Sequence, residues 1–234
     1  MKSNLVAKKK VSIIFPALNE EETIGMVIEE VPKDILELLG YDVEIIVVDN
    51  NSTDKTGVIA DNMGAIVLFE PTRGKGNAMK KAFGFATGDY IFMLDADFTY
   101  PSTYIQPMLS MLELDWDVIL CTRIKGYREP GSMSSLNLVG NRALALLANI
   151  LYGTRISDVC SGSWGMKRDV VNNLKLDAVG FELEANMFVE IAKKGYRIGE
   201  IPIVYRKRPN SPKISSLRDG FKIGRTLLKK KFRR

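Results

Sequence analysis

The chain contains no histidine among its 234 residues. That removes the commonest general base and the commonest zinc ligand, so proton or metal chemistry must fall to carboxylates. Cysteine is almost as scarce. Cys121 and Cys160 are far apart and form no CxxC pattern, which disfavours a disulfide scaffold and fits a reduced, cytoplasmic setting. Long clean apolar runs are missing too. The best candidate, LNLVGNRALALLANILY, carries Arg142 near its centre, whereas spanning helices need about 20 apolar residues without a central charge. The opening MKSNLVAKKKVSIIFPALNEE has a short apolar run and no small-residue cleavage site, and reads as a basic tail leading into a strand. A soluble or membrane-peripheral chain is expected. No GxGxxG follows the first strand, and RGKGNAM lacks the GxxxxGK[ST] spacing, so a dinucleotide-binding Rossmann site and a P-loop are both disfavoured.

What remains is ordinary globular composition, 46% hydrophobic and 26% charged, with a net charge of +5. Much of the basic excess sits in the closing LLKKKFRR. Short Val- and Ile-rich runs alternate with helical patterns through the first half. VSIIFP, VEIIVVD, AIVLFE, YIFMLD and WDVILCT read as strands, and EEETIGMVIEEV, DKTGVIADNM, KGNAMKKAFGFA and PSTYIQPMLSML as the helices between them. This alternation predicts an α/β fold: a Rossmann-like, mostly parallel sheet flanked by helices, with right-handed crossovers. In such sheets ligands sit beyond the carboxyl ends of the strands, and there this sequence gathers its polar residues. Strand one runs into PALNEE, where Asn19 and Glu22 have capping-box spacing. Strand two ends at Asp49, strand three opens into EPTRGKGNA, and strand four ends at Asp95 and Asp97. Strand five leads into TRIKGYREPGSM, which reads as a mobile loop. After Ser135 the alternation stops: a long apolar helix, the loop GTRISDVCSGSWGMKRD, the helix FELEANMFVEIAKKG, the strand RIGEIPIVYRKR, the loop PNSPK and a basic amphipathic helix follow.

Two carboxylates one residue apart at a strand end are open between two readings. Asp95 and Asp97 can reach one hard cation, or form an Asx turn capping the next helix. Arg73 and Lys75 can neutralise a phosphate that Gly74 and Gly76 let approach, or belong to a solvated loop. In FELEANMFVEIAKKG, Phe181, Ala185, Phe188 and Ile191 form a core stripe, with Glu182 and Glu184 read as solvated. The terminal helix, with Leu217, Phe221, Ile223, Leu227, Leu228 and Phe232 among basic residues, can lie in the headgroup plane of an anionic membrane or pack on the domain. Nucleic-acid binding is disfavoured, because no aromatics interleave with the basic run.

Taken in order, FPALNEEETI, VVDNNSTDKT, RGKGNAMKKAF, LDADFTYPS, ISDVCSGSWGMKRDV and EIPIVYRKRPNSPKISSLRDG resemble the motifs of family-2 glycosyltransferases with the GT-A fold. The chain is most similar there to the polyprenyl (dolichyl) phosphate sugar synthases, from about residue 11 to 220. The resemblance implies a GT-A domain over residues 1–214 and an appended basic amphipathic helix over 215–234. It implies that Asp49 bonds the nucleotide base, with Pro16, Leu18 and Glu20 lining the same pocket. Asp95 and Asp97 would hold Mg2+ or Mn2+ on the diphosphate, Asp95 touching the ribose as well, and Lys75, Arg208 and Lys213 would hold phosphates. Arg123 would lie near the sugar or the acceptor phosphate, and Arg142, Asp158, Ser161, Lys167 and Arg168 are acceptor-side candidates. Asp158 is open between orienting that site and capping a turn. The chain departs from the family pattern at SGSWGMK, at Pro212 before Lys213, and at Thr99 after the acidic pair.

The implied activity is metal-dependent, inverting transfer of a hexose from a nucleotide sugar to a polyprenyl phosphate at the cytosolic membrane face. Asp97, Arg123 and Arg208 would act on the reacting groups. A phosphomonoester, with a second pKa of about 6, needs cations to hold it and no base. Transfer to a soluble acceptor, and a non-catalytic nucleotide- or membrane-binding module, are the competing readings.

Overall fold

A computed structural model describes residues 8–209 and 216–232. The elements in chain order are β1 (Lys10–Ala17), α1 (Ile24–Glu29), α2 (Lys33–Leu38), β2 (Asp42–Asp49), α3 (Thr56–Asn62), β3 (Ile66–Phe69), α4 (Lys75–Phe85) and β4 (Tyr90–Met93). There follow α5 (Ile105–Glu113), β5 (Val118–Arg128), α6 (Ser135–Tyr152), β6 (Trp164–Lys167), α7 (Arg168–Asn172), α8 (Leu183–Lys193), β7 (Ile198–Tyr205) and α9 (Ser216–Lys231). The strands form one seven-stranded sheet in the order β3-β2-β1-β4-β6-β5-β7. All pairings are parallel except those of β6, which runs antiparallel to both β4 and β5.

Alternation along each strand divides the core between two faces. Val11, Ile13 and Phe15 point with Val47, Phe92 and Ile119 to the face covered by α1, α2 and α5. Ile14 points with Ile46, Val48, Ile91, Met93 and Leu120 to the face covered by α4, α6 and α8. Burial on both faces explains the near-continuous apolar runs. Strands β2 and β4 lie on opposite sides of β1, so the chain leaves its carboxyl end in two directions and opens a crevice there.

Three expectations change. The segment after Thr122 continues β5 to Arg128, pairing Tyr127 with Val204 and Arg128 with Tyr205 beyond a register shift; β7 supplies the ladder that the loop-like composition concealed. The loop GTRISDVCSGSWGMKRD contains β6, an interior strand of the sheet between β4 and β5. Asn19 does not cap α1, whose N-cap is Thr23 without a side-chain bond. Asn19 instead takes positive φ (50°) and its Oδ1 accepts Thr53 N–H at 2.7 Å, tying the first strand's turn to the second's.

Helix α6 is bounded by Ser134, whose hydroxyl accepts Asn137 N–H, and by the left-handed Gly153. Helix α9 lies against α6 and α8, with Leu227 fully buried and its carbonyl accepting the Tyr152 hydroxyl at 2.7 Å. Among the described residues no helix is long and apolar enough to cross a membrane.

Candidate active site

The parallel strands deliver their carboxyl ends to one edge. The antiparallel β6 delivers its beginning there, so the residues before Trp164 meet the end of β4. Asp95 N–H donates to Gly162 O at 3.1 Å, and Gly162 N–H donates to the Tyr100 hydroxyl at 2.7 Å. Gly162 is packed against Asp95 so closely that a Cβ there would lie 1.9 Å from Asp95 Oδ2. The acidic pair and the SG-containing loop are thus built as one unit.

Asp97 closes a local Asx turn and faces an arginine. Its Oδ1 accepts from Thr99 N–H (3.1 Å) and the Thr99 hydroxyl (2.6 Å), closing an Asx turn, while its Oδ2 faces Arg208 Nη1 at 3.2 Å. Burial raises the Asp97 pKa, Asp95's charge adds to this, and Arg208 opposes it. Phe98, between Asp97 and Thr99, takes positive φ (66°), and the Arg206 guanidinium covers its ring at 4.3 Å. Arg206 N–H also donates to Thr99 O (3.1 Å) and its guanidinium pairs with Glu30 (2.8 Å). The segment after β7 is therefore strapped across the acidic turn, which sets Arg208 between Asp97 and Glu20 Oε1 (2.5 Å).

Lys75, the first residue of α4, pairs through Nζ with both Asp95 and Glu184. Burial alone would lower its pKa, but the two carboxylates outweigh that and hold it above the ordinary lysine range. Glu184 is the clearest correction to the sequence reading: it is buried, not solvated. Its spacing explains why, since it lies three residues after Phe181 and four before Phe188, on the same stripe as the core residues. Gly74 and Gly76 are also used differently from expectation. Added Cβ atoms would lie 2.3 Å from Val179 O and 2.3 Å from Ala178 O respectively, and Gly76 N–H donates to Val179 O at 2.8 Å. The close approach is made by the chain's own backbone, which docks the segment carrying Glu184 against Lys75.

Arg123, just past the buried part of β5, is held by Asp158 in a two-point pair, Nε and Nη2 each at 2.7 Å, with Nη2 also donating to Cys160 O at 2.8 Å. Asp158 is fully buried. It accepts Arg123 N–H as well (3.1 Å), so it orients Arg123 and has no surface of its own to offer an acceptor. The Tyr205 ring lies 5.5 Å from the guanidinium, and the Tyr100 ring packs on Tyr205 at 5.3 Å. The loop bearing Asp158 is anchored in turn by Glu200 on β7, whose Oε1 accepts from Ser157 N–H (2.7 Å) and the Ser157 hydroxyl (2.8 Å).

On the other side of the crevice, Pro16 and Leu18 are half-buried and Glu20 is buried. Asp49 Oδ1 accepts Ser52 N–H at 2.9 Å. Asn50, absent from the sequence reading, joins this loop to the third: its amide donates to Glu70 O (3.1 Å) and Thr72 O (2.8 Å) and accepts Gly74 N–H (2.7 Å).

Several acceptor-side candidates do not join the cluster. Ser161 is fully buried and its hydroxyl donates to Cys121 O at 2.6 Å, stitching the loop to β5. Lys167 pairs in register with Tyr90, at the start of β4, because β6 runs away from the site. It faces Asp117 at 3.4 Å, and Arg168 beside it donates to Gly88 O at 2.7 Å; both belong to the opposite edge. Arg142 is exposed on α6. Lys213, and the side chain of Leu217, lie outside the described residues.

Burial pushes both thiols, Cys121 and Cys160, up to about 12, which leaves them protonated and poor nucleophiles. Among the described residues no group of three or more His, Cys, Asp or Glu could enclose a metal ion. Asp95 and Asp97 nevertheless suit a hard cation that takes one or two carboxylates and completes its shell with substrate phosphates.

The sequence profile described as glycosyl transferase family 2 matches residues 12–175. A low-salt glycan biosynthesis hexosyltransferase of Haloferax volcanii is 37% identical over 93% of this chain, which spans 52% of that relative's length. A dolichyl-phosphate hexose transferase of the same organism is 30% identical over 93% of this chain and 92% of its own. Among solved structures, glucosyl-3-phosphoglycerate synthase from Mycobacterium tuberculosis superposes with a TM-score of 0.77 at 24% identity, covering 95% of this chain and 80% of that one. A second structure of that synthase, with Mn2+, uridine diphosphate and phosphoglyceric acid, is 25% identical with a TM-score of 0.74, covering 96% of this chain and 79% of that one.

Proposed function

This chain belongs to glycosyl transferase family 2, and from that premise we propose that it transfers a hexose from a nucleotide sugar to a polyprenyl (dolichyl) phosphate with inversion. The observation that carries the choice of acceptor is the pairing of carboxylates. Asp95 and Glu184 face Lys75, Asp97 and Glu20 face Arg208, and Asp158 faces Arg123. Each acid of this cluster already serves a cation, which suits a nucleophile that arrives ionised. An oxygen of the lipid phosphate attacks the anomeric carbon, the bond to the diphosphate breaks, and its electron pair leaves with the nucleoside diphosphate. Arg123, fixed by Asp158, holds the incoming phosphate; Arg208 faces the departing one. A Mg2+ or Mn2+ ion on Asp95 and Asp97 would neutralise charge developing on the leaving group. Asp49, with Pro16, Leu18 and Glu20, forms the pocket for the base, and the family resemblance assigns Lys213 to the phosphates. The dolichyl-phosphate hexose transferase relative supports this reading.

Exposed apolar residues support action at a membrane surface. Leu136, Val139, Leu146 and Ile150 form one outward row on α6, and Phe221 and Leu228 on α9, continued by Phe232 just past its end, form another, beside exposed Arg218, Arg225 and Lys229. Apolar rows edged by cations suit an anionic headgroup layer. The second reading, transfer to a phosphoglycerate-like acid, is favoured by the synthase structure that contains phosphoglyceric acid. A panel of UDP- and GDP-sugars with Mg2+ or Mn2+ decides between them, scored by nucleoside diphosphate release with a short polyprenyl phosphate or with 3-phosphoglycerate. Release only with the lipid phosphate is expected. Release only with the acid replaces the first reading by the second, and release with neither refutes both.

A further inference from the structure

Each acid of the Asp95–Asp97 pair shares its cation with a second, more deeply buried carboxylate. Lys75 Nζ stands between Asp95 Oδ1 and Glu184 Oε1, and Arg208 stands between Asp97 and Glu20. The partners differ in access: the side chains of Asp95 and Asp97 are 28% and 14% exposed, whereas those of Glu184 and Glu20 are 8% and 7% exposed. Lys75 and Arg208 are themselves largely buried. With a single partner each, they would be stranded whenever Asp95 and Asp97 turned toward another cation, and a buried charge without its counter-charge is the costly result of breaking a buried pair. A second carboxylate removes that cost.

We propose that Glu184 and Glu20 are counter-carboxylates: they retain Lys75 and Arg208 while Asp95 and Asp97 turn to a divalent cation and its diphosphate. Both are positioning residues. Glu184 acts through Lys75, on a segment docked by Ala178 and Val179 against Gly74 and Gly76, and Glu20 acts through Arg208. The proposal rests on the reading that the acidic pair binds a metal–nucleotide complex, and is independent of which acceptor is used.

The test is Mn2+ titration of the full chain with saturating UDP or GDP, following free Mn2+ by electron paramagnetic resonance, with melting curves recorded without metal. In Glu184→Gln, Lys75 keeps only Asp95, and Mn2+ affinity is expected to fall by about 10–100-fold, the usual range for groups that support metal ligands. In a Lys75→Met background the same change should leave affinity unaltered, because the competing cation is gone. Glu20→Gln is expected to weaken Mn2+ binding likewise. If Glu184 contributed only its field, both backgrounds would lose equally, and that result overturns the proposal, as does unchanged affinity in Glu184→Gln. Should Glu184→Gln fail to fold, the Lys75→Met/Glu184→Gln double variant, with neither charge buried, is expected to fold and to bind Mn2+ as tightly as Lys75→Met alone; weaker binding than Lys75→Met overturns the proposal. Wild-type protein that takes up no Mn2+ with either nucleotide instead refutes the metal reading itself, and the counter-carboxylates with it.

Discussion

Replacing Gly162 by alanine places one methyl group where the acidic pair meets the loop before β6. Its Cβ would lie 1.9 Å from Asp95 Oδ2, 2.5 Å from Asp95 Cγ and 2.9 Å from Tyr100 Cε2. A non-bonded carbon and oxygen do not approach within 3.0 Å, so the carboxylate must retreat by about 1 Å or the loop must lift by as much. Overpacking of this kind costs about 1–3 kcal/mol. At about 2–4 °C per kcal/mol for a chain of this size, that is roughly a 2–12 °C loss in Tm. A misplacement of about 1 Å costs on the order of 10²-fold in rate, so kcat should fall far more than the modest Tm loss alone would suggest. Calorimetry and nucleoside diphosphate release, measured on the same preparation, separate the two effects. Asp95→Ala in the Gly162→Ala background removes the clashing carboxylate and should restore most of the lost Tm without restoring activity. If Gly162→Ala turns over at the wild-type rate, or if Asp95→Ala leaves the Tm loss unchanged, the geometry assigned to Asp95 and Gly162 is wrong.

Asp158→Ala leaves Arg123 buried beside no carboxylate, which should cost about 3–5 kcal/mol; chemical denaturation giving less than about 1 kcal/mol, the worth of an exposed pair, would contradict the buried two-point geometry. Burial and Asp95 raise the Asp97 pKa, so protonation of this group favours the folded state at low pH, and that contribution disappears as pH rises through the folded pKa. Asp97→Asn is therefore expected to abolish transfer yet raise the metal-free Tm at neutral pH, with the gain vanishing below the ordinary aspartate range near about 3.9; thermal scans in which the variant melts lower at pH 7 would reverse the sign. Leu146→Gln with Ile150→Gln should weaken co-sedimentation with anionic vesicles by at least about tenfold, since burying each apolar side chain is worth about 1.5–3 kcal/mol. Light scattering that shows a wild-type dimer made monomeric by the same pair, with vesicle binding unchanged, would make the α6 row a self-interface.

Local pattern carried the first half of the molecule. The alternation of apolar strands with amphipathic helices is written within short windows, because two-sided burial demands continuous apolar runs and each crossover demands a helix. For the same reason Asp49, Asp95, Asp97 and Arg123 could be assigned to one edge: each stands at the end of its own apolar run, and parallel strands bring their ends together. The second half resisted this reading. Strand β6 is four residues, Trp164–Lys167, too short for any periodicity, and its pairing partners β4 and β5 are remote in sequence.

Everything that depends on partners across the chain was decided by the tertiary structure. The direction of β6 sends Lys167 and Arg168 away from the site while bringing Gly162 against Asp95. Helical packing turns Glu184 from one charge among several into the second partner of Lys75, and backbone docking at Val179 claims the glycines that composition had offered to a phosphate. Sequence by itself determined the α/β class and which acids stand at the strand ends of one sheet edge, because those follow from local periodicity. Which cation faces which acid was settled only when residues more than a hundred positions apart, such as Lys75 and Glu184, were packed out of water. There a charge must find a counter-charge, and no local pattern names it.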